Sequence, residues 1–433
     1  MKLSRRRGAG ALVAAALLAG SVLTAAPSWG SSGTTTITLW HNYGGTNQAA
    51  LALKALAKEF TKENPSVKVN VVAQPASNYF ALLQAAAISK NGPDLAVMWT
   101  GLFSLQYSSY LVNLKGKVPA ATLAKLGGLS WMSPGLNAAN GPLVQPFQTQ
   151  FYIGFYNKSL FARAGVTSVP TDWSQLYAAC TKLKKIGVTP FTYGNGGQAL
   201  GAEFYPWYDL SYMMIGAHSV GQWKGLYNGS IAWTSAANVA ALNSWHKLYT
   251  MGCTNKDVLT KTNNIQDFEN GKAAMIMDGT WDTGTFTQAM GSKVAAFVPP
   301  FSATPIKGVV QFPGDGLSMM TYSKHSAQDV KFLEFMASTK AAGIINAAGL
   351  IPDLIGVKTS NPVNQQMLNF SATGGMTQYP MLDNVIQGNV VNAGSKVLTT
   401  VLNGQDSSLG ALANMKQTLL QLPASQRGSQ YAG

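Results

Sequence analysis

TITLW at 36–40, QAALALKALAKEFTKE at 48–63, VKVNV at 67–71, YFALLQAAAIS at 79–89 and LAVMW at 95–99 decide the fold of this chain. The first stretch is a short β-rich run. In the second, Leu53, Leu56, Ala57 and Phe60 recur at helical spacing on one face; in the third, Val67, Val69 and Val71 alternate with Lys68 and Asn70. A second helix over 79–89 and the turn Asn91-Gly92-Pro93-Asp94 then feed the apolar strand 95–99. Strands alternating with helices predict an α/β fold with a mostly parallel sheet and right-handed crossovers. Ligands of such sheets bind beyond the carboxyl ends of the strands. Here that points to the loops after Trp40 and Trp99.

Upstream, residues 1–30 have another composition: a basic start (Lys2, Arg5, Arg6, Arg7), an apolar run over 8–26 and then small residues. This reads as a secretory signal peptide cleaved after Gly30, so the mature chain is expected to begin at Ser31. Arg5-Arg6 after Ser4 resembles a twin-arginine signal only weakly, because Gly8 stands where that pattern has a large apolar residue, and the export route stays open. Later stretches never reach 18 consecutive apolar residues, so no transmembrane helix is expected. The mature protein is read as soluble and extracytoplasmic.

With 433 residues, 46% hydrophobic and 11% charged, the chain has enough to bury for two domains and is not disordered. Lys and Arg number 31 against 17 Asp and Glu, a net charge of +14, and removing the four bases of the signal leaves +10. The bases are dispersed, with no run beyond Lys184-Lys185, so nucleic acid is not an expected partner. Scarcity of acids suggests acidic working surroundings, since fewer carboxylates then destabilise the fold on protonation.

Downstream helices are expected over 172–186, 235–251, 326–338 and 408–422, while 195–233 is Gly- and aromatic-rich with weak periodicity, as in a ligand-facing region. Trp173, Leu176, Tyr177, Cys180 and Leu183 form the apolar face of the first of these, with Asp172 as N-cap and Gly187 beyond its end. Cys180 and Cys253 are the two cysteines, and export permits a disulfide between them. A buried free thiol is the alternative.

Catalytic patterns are missing. There is no G-x-S-x-G and no P-loop, and His41, His218, His246 and His325 are scattered without H-E-x-x-H, so neither a metal nor a cofactor is expected. The stretch 194–199 matches a loose dinucleotide fingerprint by coincidence, with no acid at the ribose offset. Glycoside hydrolysis needs paired carboxylates, and Asp278, Asp282 and Asp315 keep a secreted carbohydrate-active enzyme as the alternative.

ITLWHNYGG at 37–45, GPDLAVMW at 92–99, GFYNKSLFARAGVTSVPTDWSQL at 154–176, FENGKAAMIMDGTW at 268–281 and GDGLSMMTYSKHSAQDVKFLEFMAS at 314–338 resemble the extracellular solute-binding proteins of ABC importers, in the sugar-binding, maltose-binding-protein-like branch. The resemblance implies two α/β lobes joined by hinge strands, lobe I over 34–147 plus 298–345 and lobe II over 148–297 plus 346–433. It implies a monomer that holds a sugar or oligosaccharide in the interlobe cleft and delivers it to transmembrane permease subunits. No cysteine precedes Cys180, a departure from lipid-anchored members. A glycerophosphate or other polar solute remains an alternative cargo, disfavoured by the presence of only Arg163 and Arg427 after the signal.

Sugars present apolar CH faces and rings of hydroxyls, so their sites need aromatic platforms with polar side chains at the rim. By position beyond their strands, His41, Tyr43, Trp99 and Thr100 are expected in the cleft. By resemblance, Trp281 stacks on sugar, Gln150 stands in for a cleft carboxylate, and Tyr193, Asn195 and Trp207 add stacking and hydrogen bonds. Gly314, Asp315 and Gly316 resemble a turn that reaches the ligand, and Asp282, next to Trp281, is expected at the rim or in solvent. Trp131, Trp173, Trp223, Trp233 and Trp245 are read as packing.

Overall fold

The computed structural model describes residues 33–44, 47–195, 204–218, 222 and 225–427. The expected signal peptide, Gly45, Trp223 and most of the 194–199 motif therefore lie outside the described residues. The compact unit of interest runs from Thr34 onward.

Its first sheet has strands β1 (Thr35–His41), β2 (Val67–Ala73), β3 (Leu95–Met98), β4 (Gln145–Pro146) and β10 (Gly316–Met319) in the order β2-β1-β3-β10-β4. β1 is parallel to both β2 and β3, as the βαβαβ reading predicts, while β10 enters antiparallel to β3. Helices α1 (Gln48–Glu63) and α2 (Tyr79–Ser89) make the crossovers. α1 starts where the Asn47 side chain accepts from the Ala49 amide, and it buries Leu53, Leu56, Ala57 and Phe60. That face joins Ile37, Leu39, Leu317, Phe332 and Ile345 in one core, and Tyr79, Phe80 and Leu83 of α2 build a second with Met98 and Trp99.

The second sheet is organised on one long strand, β5 (Gln148–Asn157). β7 (Ala273–Gly279), β8 (Val294–Phe297), β9 (Gly308–Pro313) and β11 (Ile351–Pro352) all pair with it antiparallel. β6 (Thr189–Thr192) and β12 (Thr377–Tyr379) extend the edges in parallel. Phe151, Phe155, Phe191, Trp245, Met275 and Phe297 centre its core.

The chain passes between the sheets at three neighbouring places, and they are tied to each other. Phe147 separates β4 from β5, Gly314–Asp315 separates β9 from β10, and β11 follows helix Thr339–Ala347. The Gly314 amide donates to the Gln148 carbonyl (2.7 Å), and the Asp353 amide to the Phe147 carbonyl (3.3 Å). Within the stretch 298–345, expected in one lobe, β9 lies in the second sheet and β10 in the first.

Helices Trp173–Lys185, Ala236–Thr250, Ser326–Met336 and Ser408–Gln421 sit within two residues of their expected bounds. Asp172 caps its helix by accepting from the Gln175 amide. Within 195–233, read as ligand-facing, the described residues include helix Trp207–Ala217, in which Trp207 through Ile215 are all buried, while Asn195, Tyr205 and Tyr208 line a cavity. A helix packed on every side has no amphipathic period to reveal it. Cys180 and Cys253 are both buried and free, so the expected disulfide is not formed. Their side chains are hydrogen-bonded, and that bond, with burial, raises the Cys180 thiol well above its usual range. The two sulfurs meet as thiols, which only an oxidant would join.

Candidate ligand-binding cleft

Between the sheets lies a cavity of about 810 Å³ lined by both. The loop after β1 contributes Asn42 and Tyr43, the end of β3 contributes Trp99, and α1 contributes Gln48. Across from them stand Gln150 and Tyr152 of β5, Tyr205, Tyr208, Trp281 and Asp282, with Asp383 and Asn384 closing one end. Asp315 enters from the crossing between β9 and β10.

Trp281 follows β7 in a single tight turn. Its indole lies over the backbone of Gly279, where a Cβ would fall 2.1 Å from the ring. It meets Tyr152 edge-on (centroids 5.9 Å, 86°) and Tyr208 at a tilt (5.8 Å, 37°). The ring is half-buried and packs against the cores of both sheets. It is thus a platform whose position depends on how the two sheets sit together.

The carboxylates are held by tyrosines. Tyr43 donates to Asp315 Oδ2 (2.6 Å), and the Asp315 amide donates to Gln150 Oε1 (3.3 Å). Tyr152 and Tyr205 both donate to Asp383 Oδ2, at 2.7 and 2.5 Å. Burial pushes Asp315 and Asp383 each up to about 6 despite these bonds, and pushes Asp282, hydrogen-bonded to Asp278, to about 6 as well. At the end of β7, burial and the neighbouring Asp282 charge hold Asp278 well above the usual carboxylate range. The tyrosines are driven far up by burial and stay neutral donors.

Seven of the expected residues line the cavity: Tyr43, Trp99, Gln150, Asn195, Trp281, Asp282 and Asp315. Gly314 and Gly316 work from behind. A Cβ on Gly314 would fall 2.4 Å from Gln150 Cδ, and one on Gly316 would fall 2.4 Å from the Gln145 carbonyl oxygen. Both glycines let the crossing press close enough to aim Asp315.

Besides these glycines, four expected residues are not on its wall. His41 is fully buried at the end of β1, where its ring stacks on Tyr43 (5.5 Å) and its Nδ1 accepts from the Tyr43 amide (3.2 Å). Burial, with Lys54 nearby, lowers it to about 4. Thr100 instead ties elements together: its hydroxyl donates to the Pro313 carbonyl (3.0 Å) and accepts from Asn384 Nδ2 (3.1 Å). Tyr193 belongs to a buried network, donating to Asp209 (2.7 Å) and accepting from Trp245 Nε1 (3.1 Å). Trp207 is fully buried, donates to Ser395 Oγ (2.9 Å), and presses on Gly394, where a Cβ would meet its ring at 2.6 Å. Aromatic composition marked these two, but packing claims them.

Sequence reasoning missed Tyr152, Tyr205, Tyr208, Glu269 and Asp383. One signal was available: Asp383 is a lone acid inside the apolar run YPMLDNVI at 379–386, and a buried acid needs partners.

The family profile described as bacterial extracellular solute-binding protein matches residues 43–343. An uncharacterised ABC-transporter extracellular-binding protein of Pyrococcus horikoshii is 25% identical over 337 residues, covering 72% of this chain and 70% of that one. A multiple sugar-binding protein of Streptococcus mutans is 23% identical over 309 residues, covering 67% and 68%. Among solved structures, a chitin-oligosaccharide-binding protein superposes with a TM-score of 0.76 over 89% of this chain and 98% of its own, at 19% identity.

Proposed function

The chain belongs to the bacterial extracellular solute-binding proteins, and from that premise we propose that it is the extracytoplasmic binding component of an ABC importer for a sugar or oligosaccharide. Its fold is the two-lobe periplasmic-binding-protein architecture. The observation that carries the reading is the cleft wall: Trp281, Tyr208, Tyr152, Trp99 and Tyr43 line it together with Gln48, Gln150, Asp315 and Asp383. Flat rings suit the CH faces of sugars, and amide and carboxyl groups suit their hydroxyls. Site roles go to the seven wall residues named from sequence, joined by Tyr152, Tyr205, Tyr208 and Asp383.

In this reading the lobes follow the sheets, with crossings at Phe147, Gly314–Asp315 and Leu350. Ligand that touches both lobes shifts the population toward the closed form, which the permease engages. In this reading the protein acts as a monomeric carrier, and its cleft carboxylates Asp315 and Asp383 accept hydrogen bonds from tyrosines. Residues 1–30 serve as the export signal. Among the described residues no helix is long and apolar enough to cross a membrane.

The test is a melting-temperature screen against mono-, di- and trisaccharides, with glycerophosphate and amino acids as controls. A ligand at 100 times its Kd stabilises the native state by about 2.7 kcal/mol. A shift confined to one sugar class, with intact sugar recovered in equimolar amount, is the expected outcome. A shift from glycerophosphate alone would replace the cargo, and product accumulation abolished by Asp278→Asn or Asp315→Asn would replace the carrier by an enzyme.

A further inference from the structure

We propose that the glycan this cleft accepts carries a protonated amine: the cargo is an amino sugar or amino-sugar oligomer rather than a neutral or acidic one. The inference rests on the reading of the cavity as a sugar site and names its substrate class.

The charge of the cleft is inverted relative to the chain. At the chain's overall composition, 25 lining residues would hold about one acid and about two bases. They hold Glu269, Asp282, Asp315 and Asp383, and no Lys, Arg or His among the described residues. Lys261, beside the lining residue Thr262, turns its ammonium to Asp267 (2.8 Å). A basic protein that concentrates its scarce acids around one cavity creates there a field that attracts cations and repels anions.

The hydrogen-bond inventory points the same way independently. Three buried side-chain oxygens on the cavity wall have no hydrogen-bond partner: Asn42 Oδ1, Glu269 Oε1 and Asp383 Oδ1. Asp383 is only 1% exposed, and its two tyrosine donors both bond the other oxygen. Leaving buried acceptors unpaired is costly, so such atoms mark where a ligand donor belongs. An ammonium offers three donors and no acceptor. A hydroxyl would supply one donor and bring lone pairs that themselves need donors.

Tyr152 and Tyr205 flank Asp383, and Trp281 and Tyr208 stand against Tyr152. Aromatic faces are the negative ends of ring quadrupoles, and they attract a desolvated cation. The same platforms take the sugar ring, so one wall recognises both halves of the ligand.

The experiment is calorimetric titration of the full chain at pH 7 with probes matched except at one position: glucosamine, N-acetylglucosamine and glucose, and their β-1,4-linked dimers. An amine with a pKa of about 7.7–8.0 is mostly charged at that pH. The expected result is that an amine-bearing member binds at least tenfold tighter than its acetylated and hydroxyl counterparts, and that the advantage shrinks with added salt. Glu269→Gln should cut the amine advantage severalfold, and Asp383→Asn should cut it more strongly. Equal or better binding of the neutral members overturns the amine and leaves the sugar carrier standing. Failure of every amine-bearing member to bind also overturns it, and if spermidine binds where no sugar of any kind does, the sugar reading falls as well.

Discussion

Tyr43 and Asp315 lie 272 positions apart, and the Tyr43 hydroxyl donates to Asp315 Oδ2 over 2.6 Å. The bond joins the loop beyond β1 to the crossing between β9 and β10, so it fixes a cavity carboxylate and a crossing between the sheets together. Tyr43→Phe leaves the ring's stacking with His41 intact and removes only the donor to a buried acid. A hydrogen bond to a charged group is worth about 1.5–3 kcal/mol. Ligand affinity measured by calorimetry should fall by about 10- to 100-fold, and burial without its donor should push the Asp315 pKa above 6. An affinity unchanged within twofold would remove this pair from the site.

Trp281 presents a half-buried indole on the cavity wall. Burying about 100 Å² of ring against a ligand at about 25 cal/mol/Å² contributes about 2.5 kcal/mol, so Trp281→Ala should weaken binding by tens-fold. Gly279→Ala tests the same ring without touching it, because the new methyl would occupy the space of the indole. Both variants should lose ligand-induced quenching of tryptophan fluorescence, and loss in the first but not the second would mean the ring can re-seat.

Six buried carboxyl groups set an unusual pH dependence of stability. Asp209, Asp329 and Asp353 are raised to about 7, and Asp282, Asp315 and Asp383 to about 6, by burial first in every case. Raised folded values mean that the native state binds more protons than the unfolded chain between about pH 4 and 7. Stability from these groups is therefore present at low pH and lost as pH rises through 6 to 7. His41, lowered to about 4, opposes this with a single group whose contribution is lost as pH falls below its ordinary value. Scanning calorimetry of the ligand-free protein should show a higher Tm at pH 5 than at pH 8, by about 2–4 °C per kcal/mol recovered. That is the behaviour anticipated for a chain with few acids working in acidic surroundings; a Tm that falls sharply between pH 7 and pH 4 would contradict it.

The buried thiols make a chemical prediction. Alkylation of the unfolded, unreduced protein should add two labels, one each on Cys180 and Cys253, because both are free. Addition of none without reductant, and two after it, would mean that an exported copy meets an oxidant and closes the bond.

The first sheet and its helices were legible because their signals are local: period-two alternation over 67–71 and helical spacing over 48–63; the Asp172 cap marked a later helix in the same way. The loops after β1 and β3 followed from topology, and they do supply Tyr43 and Trp99. What failed was telling ring from ring. Tyr193 and Trp207 have the same composition signal as Tyr205 and Tyr208, and only tertiary packing sends the first pair into the core and the second to the cavity. Asp383 comes from a C-terminal segment whose partners, Tyr152 and Tyr205, are 231 and 178 positions away. No local pattern records that distance.

Thr100 turns this lesson into a last experiment. Its hydroxyl donates to the Pro313 carbonyl, accepts from Asn384, and sits beside Gly101, whose positive φ of 73° allows its backbone to press on the Asn384 carbonyl. These contacts join the end of β3 to β9 and to the 381–384 segment, so they hold the first sheet against the second, with Asn384 also closing one end of the cavity. Gln48 of α1 and Thr285 make a weaker bridge at 3.4 Å on the opposite rim. Thr100→Val keeps the shape and removes both hydrogen bonds, each worth about 0.5–1.5 kcal/mol. If these bonds favour the closed arrangement, their loss shifts the ligand-free population toward an open one, and apparent affinity falls by the same factor for every ligand. Small-angle scattering of the unliganded variant should give a larger radius of gyration than the parent, and saturating ligand should restore it. A variant with reduced affinity but an unchanged radius would place Thr100 in the binding wall instead.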